Sequence, residues 1–304
     1  MIDPASTPPP TSPPPAAAPV AELRLGIPKG RMFEGVLSLL AGAGIEVSAP
    51  ERGYRPGVSL PGVEAKILKP QNIVEMLHAG TRDAGFAGAD WRAELDANIV
   101  EVLDTGLDPV RIVAAAPRSI LDAGSLPVRR LTVASEFERL TVAWIGSRGL
   151  DARFIRSYGA TEVFPPEDAD CIVDVAASGA TLRANDLAVV DEIMRSSTRL
   201  YASRAAWEDP VRRGRVEDLA LVLRAVLDAR RRVMLELNVP PDRLDAVCAA
   251  LPCMRCPTIS PLHAGGGFAV KAAVPTRELA LLIPRLKSRG GTDIVITQLS
   301  QVVP

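Results

Sequence analysis

The sequence predicts an α/β protein that ends in a small ferredoxin-like module. Between residues 23 and 230, short apolar runs typical of strands alternate with amphipathic segments typical of helices, which favours mixed α/β layers over a sandwich or a bundle. After Arg232 the order becomes strand, helix, strand, strand, helix, strand over about 70 residues, which is the split βαββαβ arrangement. The length of 304 residues predicts two or three domains.

Composition places the chain among ordinary globular proteins and excludes two classes of function. Hydrophobic residues make up 47% and charged residues 23%, and the formal net charge of −1 excludes a strongly basic nucleic-acid-binding protein. No apolar run reaches the roughly 18 residues of a membrane-spanning helix. The first residues lack the charged and apolar regions of a signal peptide, which predicts a cytoplasmic location.

Residues 1–21 differ in composition from the rest of the chain. They contain eight of the 27 prolines and no aromatic residue. We expect a disordered arm with polyproline II character, which is either a solvated tail or a ligand for a proline-recognising partner. The ordered part is therefore expected to begin at residue 22.

The N-terminal segments alternate between strand and helix. A first helix is expected to close at Gly42 and Gly44, and Pro70 suits the first turn of a second helix. The expected elements are the strand LRLGIP, a helix and a strand in MFEGVLSLLAGAGIEV, the strand VEAKILK, the helix PQNIVEMLHAG, and the strands DAGFAG, NIVEVLDTG and VRIVAAAP.

The alternation continues through the second half of the chain. The expected elements are the strand LTVAS, a helix from about Glu136 to Arg148, the segment DARFIRSYG, the buried strand DCIVDVAASG, a helix in TLRANDLAVV, and a helical stretch from Ala205 to Arg232 interrupted near Pro210. The C-terminal module is expected to contain the strand RVMLELNV, the helix PPDRLDAVCAAL, the strands PTISPLH and GFAVKAAV, the helix PTRELALLIPRLKSRG and the strand TDIVITQL.

The segment Asp174–Asp186, DVAASGATLRAND, is the strongest candidate for a site. A buried strand leads into a turn with two hydroxyls and a glycine, and the turn opens a helix. Backbone N–H groups at such a turn form a nest for a phosphate, and Asp174 could accept from sugar hydroxyls or face a magnesium shell. The same pattern also fits a serine N-cap at an ordinary strand-to-helix turn.

Two other strand ends carry polar residues. Lys29, Gly30 and Arg31 follow a strand and open a helix, so two cations stand beside a helix N-terminus that already favours anions. A solvated turn explains them equally well. The glycine-rich strand end from Gly85 to Asp90 is a third, weaker candidate.

Four residues near the C-terminus have metal-ligand chemistry. Cys248, Cys253, Cys256 and His263 form a C-x4-C-x2-C-x6-H pattern that could ligate zinc. Cys248 lies on the apolar face of the expected helix, where a cysteine is typically a small core residue. The pattern therefore leaves both a metal site and simple packing open.

The candidate segments together resemble the ATP phosphoribosyltransferase family, which catalyses the first step of histidine biosynthesis. The matching segments are IPKGRMFE, DAGFAGAD, EVLDTG with the following Arg111, CIVDVAASGATLRANDL, SSTRLYASRAA and, in the C-terminal module, LPCMRCPTISPL. The resemblance covers about residues 23–300 and includes the regulatory module of the long form.

The resemblance implies two α/β catalytic domains like those of periplasmic binding proteins, with the active site in the cleft, and an ACT-like regulatory domain. The implied boundaries are 22–110 with 200–230 for domain I, 111–199 for domain II, and 231–304 for the regulatory domain. The implied reaction joins N1 of ATP to C1 of 5-phosphoribosyl 1-pyrophosphate (PRPP), inverts that carbon and releases pyrophosphate. Mg²⁺ would travel on the substrate, with no dedicated protein ligands.

The resemblance also assigns site residues. Asp174, Glu162 and Lys29 match catalytic positions. The loop that binds PRPP is matched by Ser178, Gly179, Ala180, Thr181 and Leu182, and the ATP side of the cleft by Gly30, Arg31, Lys69, Asn72, Asp90 and Arg111.

Departures from the family pattern lie outside the phosphate loop. Lys69-Pro70-Gln71-Asn72-Ile73-Val74 stands where the family shows Arg-x-x-Asp-Ile-Pro, and Asp108-Pro109-Val110-Arg111 where it shows Gly-x-Cys-Arg. The stretch SEFERLTVAWI also departs, and the segment from Glu162 to Asp170 is about one residue short. These changes leave two further hypotheses open: a related phosphoribosyltransferase with another nitrogen acceptor, and a non-catalytic regulatory subunit.

The regulatory module carries a second expected site. Met254, Thr258 and Ala273 match positions in or near the pocket where histidine inhibits the family, between neighbouring subunits of a hexamer. The same residues could equally be core of the module. Cys253 and Cys256 replace the glycine and serine usual in the family. A closed homo-oligomer, a dimer or a hexamer, is expected in either case.

Overall fold

A computed structural model describes residues 22–48 and 53–303. The predicted proline-rich arm, residues 1–21, lies outside the described residues. The strands are β1 Leu23–Pro28, β2 Val47–Ser48, β3 Gly57–Val58, β4 Val63–Leu68, β5 Ala84–Gly88, β6 Ile99–Pro117, β7 Leu131–Ser135, β8 Ala152–Arg156, β9 Cys171–Ala176, β10 Leu187–Ser203, β11 Arg232–Val239, β12 Thr258–Pro261, β13 Phe268–Pro275 and β14 Thr292–Gln298. The helices are α1 Phe33–Gly42, α2 Pro70–His78, α3 Ala89–Glu94, α4 Glu138–Arg148, α5 Ala180–Ala184, α6 Arg204–Glu208, α7 Pro210–Arg230, α8 Leu244–Cys248 and α9 Leu279–Ser288.

An eight-stranded sheet, in the order β4-β1-β5-β10-β6-β9-β7-β8, forms the body of the protein. Strands β4, β1 and β5 are parallel at one end, and β8, β7 and β9 are parallel at the other. The long strands β6 and β10 pair antiparallel between these two groups and join them. The sheet thus carries two α/β lobes joined by a two-stranded connection, and the predicted fold class is confirmed.

The N-terminal lobe is built around β1, which is buried from both sides. Leu25 and Ile27 of β1 pack with Leu39 of α1 and with Leu223 and Val226 of α7. Helix α7 begins at Pro210, and the Asp209 side chain caps it by accepting from the N–H groups of Val211 and Arg212. The predicted interruption near Pro210 is therefore confirmed. It separates α6 from α7.

The C-terminal module is a separate four-stranded sheet in the order β12-β13-β11-β14. All its neighbouring strands are antiparallel. The predicted ferredoxin-like arrangement is confirmed. The last residues return to the N-terminal lobe, where the Gln301 side chain donates to the Gly42 carbonyl at 3.0 Å and the Val302 N–H donates to the Ala225 carbonyl at 2.9 Å.

Four predictions about elements are wrong in extent. Residues 99–117 form one bent strand, because Gly106 and Asp108 turn the backbone with φ of +65° and +47° without ending the pairing with β10. The helix predicted in TLRANDLAVV ends at Ala184, since Asp186 has a φ of +52° and the β-branched residues beyond it join β10. The helix predicted in PPDRLDAVCAAL is only the five-residue α8, and the strand after α1 has only two residues.

Within the part of the chain that the structure describes, no helix has both the length and the apolar character needed to cross a membrane.

Candidate active site

The turn between β9 and α5 is the centre of the candidate site. Gly179 has a φ of +70°, in the left-handed region where other residues are strained, and it stands at the N-cap of α5. The Ser178 hydroxyl accepts from the Ala180 N–H at 3.3 Å, one position outside the N-cap. The first turn of a helix leaves backbone N–H groups without helical partners. The turn therefore presents N–H groups and the hydroxyls of Ser178 and Thr181 together.

A cavity of about 260 Å³ lies over this turn, and we call it the loop cavity. It brings together the predicted residues Arg31, Glu162 and Asp174 with the whole predicted phosphate loop. Arg31 comes from the N-terminal lobe, between β1 and α1, whereas the other residues belong to the opposite lobe. The cavity lining comprises Arg31, Glu162, Asp174, Val175, Ala176, Ala177, Ser178, Gly179, Ala180, Thr181 and Leu182.

The carboxyl group of Asp174 has unusual electrostatics. Its pKa is raised to about 6, mainly by burial and also by the nearby carboxylates of Glu162 and Glu136, while the hydrogen bond from the Val175 N–H acts in the opposite direction. That bond joins the Val175 nitrogen to Asp174 Oδ1 at 2.6 Å. Asp174 is thus a half-buried carboxyl that a cationic ligand would stabilise in its charged form.

The Arg31 side chain is held in place by the backbone of Asp108, a residue of β6. The Arg31 guanidinium donates to the Asp108 carbonyl at 3.1 Å, and the Asp108 carboxylate accepts from the Thr198 hydroxyl at 3.0 Å. Asp108 has a φ of +47°, in the left-handed region that favours glycine and that aspartate tolerates. Its carboxylate ties β6 to β10 through Thr198.

Comparisons with known proteins assign the chain to a family. The model of the ATP phosphoribosyltransferase family matches residues 69–225, and that of the HisG C-terminal domain matches residues 229–301. ATP phosphoribosyltransferase of Pelotomaculum thermopropionicum is 39% identical over 93% of this chain and 100% of its own length. The chain belongs to the ATP phosphoribosyltransferase family. The same enzyme from Desulforudis audaxviator is 37% identical over 93% of this chain and 100% of its own length.

A solved structure of the family agrees with this assignment. A chain of the ATP phosphoribosyl transferase (HisG:HisZ) complex from Thermotoga maritima superposes with a TM-score of 0.60 at 26% identity. The match covers 68% of this chain and 98% of that chain. Because residues 229–301 match the C-terminal domain of the family, this chain has the long form that was predicted.

The residues that the family resemblance places on the ATP side lie outside the loop cavity, apart from Arg31. Lys29, which was predicted as a catalytic residue, also lies outside the loop cavity, and its ammonium group is 5.7 Å from the ring centre of Tyr54. Gly30 has a φ of +79°. Lys69 is the N-cap residue of α2, Asn72 is exposed on that helix, and Arg111 forms an ion pair with Glu192 at 3.4 Å.

Asp90, also predicted on the ATP side, is buried with only 3% of its surface exposed. Burial raises its pKa, and hydrogen bonds from Ser196 and from backbone N–H groups oppose this shift. Ser196 donates to the Asp90 carboxylate at 2.9 Å and accepts from the Asp90 N–H at 3.1 Å. A Cβ atom at position 88 would lie 1.9 Å from an Asp90 carboxylate oxygen, so glycine at this position leaves the room that the Asp90 side chain occupies.

Sequence reasoning missed three residues around the site. Arg183 folds back from α5 and donates to the Ser178 carbonyl at 3.0 Å, a contact that the spacing Ser178-x4-Arg183 could have suggested. Glu136 raises the pKa of Asp174 although it is distant in sequence. Asp108 was noted only as a departure from the family pattern, because its contacts depend on the pairing between β6 and β10.

The three residues predicted for regulation lie together in the C-terminal module. Met254, Thr258 and Ala273 line a cavity of about 340 Å³, which we call the C-terminal cavity. Its lining also includes Cys253, Cys256 and Lys271. Among residues 22–48 and 53–303, no group of three or more His, Cys, Asp or Glu side chains is placed to hold a metal ion, so the structure does not support the zinc interpretation of the cysteines.

Proposed function

We propose that the protein transfers the phosphoribosyl group of PRPP to N1 of ATP and releases pyrophosphate, the first step of histidine biosynthesis. The observation that carries the proposal is the loop cavity, in which Arg31, Glu162 and Asp174 surround a glycine turn rich in N–H groups. Membership of the ATP phosphoribosyltransferase family supports it.

Each part of the loop cavity has a role in this reaction. The turn from Ser178 to Leu182 binds the 5-phosphate through N–H groups and hydroxyls, because such turns favour anions. Asp174 and Glu162 lie beside the ribose and stabilise the positive charge that develops at C1. Arg31 approaches from the other lobe and faces the departing pyrophosphate. Binding across the cleft orients the two substrates, so no covalent intermediate with the enzyme is required.

Mg²⁺ fits this site as an ion carried by the substrate. The loop cavity contains two carboxylates, Asp174 and Glu162, and no group of three or more potential ligands occurs among the described residues. When bound to the pyrophosphate, the ion would neutralise part of the negative charge on the leaving group. Asp174 and Glu162 would face it from the ribose side.

The remaining assignments are proposals about the ATP side and about domains. Gly30, Lys69, Asn72, Asp90 and Arg111 are proposed for the ATP side of the cleft. Lys29 is proposed as a catalytic residue that reaches the phosphates once it leaves the Tyr54 ring. We divide the chain into domain I (22–110 and 200–230), domain II (111–199) and a regulatory domain (231–304). The packing of α7 against α1 supports the return of the chain to domain I.

Regulation by histidine in a homo-oligomer is proposed for the C-terminal module. The position of Met254, Thr258 and Ala273 in one cavity supports a ligand there rather than a role as core residues alone. The long form of the chain supports a closed assembly of its own copies, a dimer or a hexamer.

Pyrophosphate release tests the proposed reaction directly. The full-length protein is incubated with PRPP, ATP and Mg²⁺, with a pyrophosphatase that removes the product, and the ribosylated nucleotide is identified by mass spectrometry. Product formation that depends on both substrates is expected, and histidine is expected to suppress it. If PRPP binds but ATP gives no product, the acceptor is another nitrogen compound. If PRPP does not bind, the proposal is wrong.

Thr181→Ala is expected to weaken PRPP binding about tenfold, because one hydrogen bond to a charged phosphate is lost. Isothermal titration calorimetry with PRPP measures the change. Thr276→Ala, at an exposed threonine in the C-terminal module, is the matched control and should bind PRPP as the unmodified protein does. Equal affinities for all three proteins would remove Thr181 from the phosphate site.

The rate should depend on the ionisation of Asp174. Because the pKa of Asp174 is about 6 and its charged form is the active one, kcat/KM for PRPP is expected to fall about tenfold per pH unit well below pH 6. Glu136 raises this pKa but does not line the loop cavity, so Glu136→Gln should move the acid limb to lower pH. Steady-state rates between pH 5 and 8 test this, and an unmoved limb would mean that another group controls it.

A further inference from the structure

Two thiols stand close together in the wall of the C-terminal cavity. Cys253 and Cys256 lie between α8 and β12, where the chain bends at Met254 and Arg255. Both line the cavity, together with Met254 and Thr258. The pocket that we propose for a regulatory ligand therefore contains a Cys-x-x-Cys pair.

The position of the Cys253 sulfur brings it next to its partner. The Cys253 thiol donates to the Arg255 carbonyl at 2.8 Å. Because the carbonyl carbon of Arg255 is bonded to the amide nitrogen of Cys256, this sulfur lies beside the backbone of Cys256. The bend at Met254 and Arg255 separates the two cysteines by two residues. In a tight turn with this spacing the flanking Cα atoms lie within about 7 Å, close to the range of Cα distances in disulfides.

The four cysteines differ in their access to a reagent. Cys256 is exposed, whereas Cys253 is half-buried against the core of the C-terminal module. Burial raises the pKa of Cys171 to about 12 and also raises the pKa of Cys248. Cys256 is thus accessible enough to react first with a disulfide reagent, and Cys253 lies near enough to displace the reagent afterwards.

We propose that Cys253 and Cys256 form a reversible disulfide in the wall of the C-terminal cavity, closed by exchange with a low-molecular-weight disulfide such as glutathione disulfide. The Cys256 thiolate attacks one sulfur of glutathione disulfide, forms a mixed disulfide and releases one glutathione. The Cys253 thiolate then attacks the Cys256 sulfur and releases the second glutathione. The two thiol protons pass to the two glutathione thiolates that leave.

Closing the disulfide changes the wall of the cavity. The Cys253 sulfur must leave the Arg255 carbonyl, and the side chains of Met254 and Arg255 between the two cysteines must move with the bend. A ligand that contacts Met254 and Thr258 would therefore bind the oxidised and reduced proteins with different affinity. This consequence rests on the proposed regulation, whereas formation of the disulfide does not.

Peptide mapping tests the disulfide. The reduced full-length protein is equilibrated with glutathione disulfide, alkylated and digested with trypsin without reduction. Trypsin cleaves after Arg255, so the proposed bond links two peptides, Leu244–Arg255 and Cys256–Lys271. We expect this linked pair, its loss on reduction and its absence in Cys256→Ser, which carries the serine usual in the family. Cys248→Ser should keep it.

Two results would overturn the disulfide. One is a glutathione adduct on Cys256 without the linked pair, and the other is a bond between Cys248 and Cys253, which would stay within one peptide. A second measurement concerns the ligand: the histidine concentration for half inhibition should differ at least about threefold between oxidised and reduced protein, but not in Cys256→Ser. Equal values alongside a mapped disulfide would reject only its regulatory effect, and no inhibition of reduced protein would reject the proposed histidine regulation.

Discussion

Asp174→Asn is expected to lower kcat by about 10² to 10³ and, at the same time, to stabilise the protein without substrate. The loss in rate follows from the proposed role, in which the half-buried Asp174 carboxylate stabilises the positive charge at C1 mainly in the transition state. The gain in stability follows from the pKa, which is about 6 in the folded protein instead of 3.8. Keeping this group charged at pH 7.5 costs on the order of 2–3 kcal/mol of folding free energy.

The gain in stability of Asp174→Asn is expected to increase with pH. Since folding raises the pKa, Asp174 favours the folded state most below its unfolded pKa, and this contribution is lost as the pH rises through about 6. The difference in unfolding free energy between Asp174→Asn and the unmodified protein should therefore be largest at pH 7.5 and shrink as the pH approaches 4. Chemical denaturation at several pH values, together with kcat at pH 7.5, measures both effects.

Asp170 at the other end of β9 provides a matched control. Arg129 and the Thr132 N–H bind its carboxylate at 2.7 and 2.8 Å, and these contacts lower its pKa against the effect of burial. Asp170→Asn should therefore reduce stability at pH 7.5 and leave kcat unchanged. If Asp174→Asn destabilised the protein as Asp170→Asn does and kept its activity, Asp174 would be a structural residue only.

Local patterns predicted most of the fold because most elements carry their own signals. Period-2 and continuous apolar runs gave β1, β5 and β9, and Pro70 and Pro210 marked the starts of α2 and α7. The errors occur where long-range pairing decided the conformation. Residues 187–190 were predicted as the end of a helix, but they pair with β6, about 70 residues away, and the helical prediction did not take this pairing into account.

The candidate site was predictable to the extent that it is contiguous in sequence. Ser178, Gly179 and Thr181 form one turn whose glycine and hydroxyls already indicate an anion site, and the structure gathers them in one cavity. The cross-cleft position of Arg31 depends on its contact with Asp108, 77 residues away, and on the pairing of β6 with β10. No local pattern records such a contact.

Asp83→Asn is expected to be the most destabilising of the substitutions considered, at about 3 kcal/mol, because it removes a buried carboxylate that binds two half-buried arginines. Asp83 is 1% exposed, immediately before β5. Arg24 binds its carboxylate through the guanidinium at 2.7 and 2.9 Å and through the backbone N–H at 2.7 Å, and Arg212 from α7 lies at 3.3 Å. An amide would turn an N–H₂ group toward these donors.

Asp83, Arg24 and Arg212 form a cluster that joins the start of β5 to β1 and α7. Its loss should loosen the whole N-terminal lobe, including the C-terminal end of β5 that leads to Asp90. Hydrogen bonds from Arg24 lower the pKa of Asp83 despite its burial, so its contribution is present above the unfolded pKa and is lost as the pH falls through the lowered value. Asp83→Asn should therefore lower the thermal midpoint by on the order of 10 °C at pH 7.5, with a smaller difference in acid.

Asp186→Asn is the control for this substitution, because Asp186 is 79% exposed, pairs with Arg118 at 3.5 Å and already has a left-handed φ that asparagine tolerates. Its effect should stay within about 1 kcal/mol, as for other exposed ion pairs. Calorimetry of both variants measures the difference. Equal midpoints would mean that Arg24 and Arg212 do not need the Asp83 carboxylate, because solvent compensates their charges. A large difference would show that the ion pairs of Asp83 hold β5, β1 and α7 together.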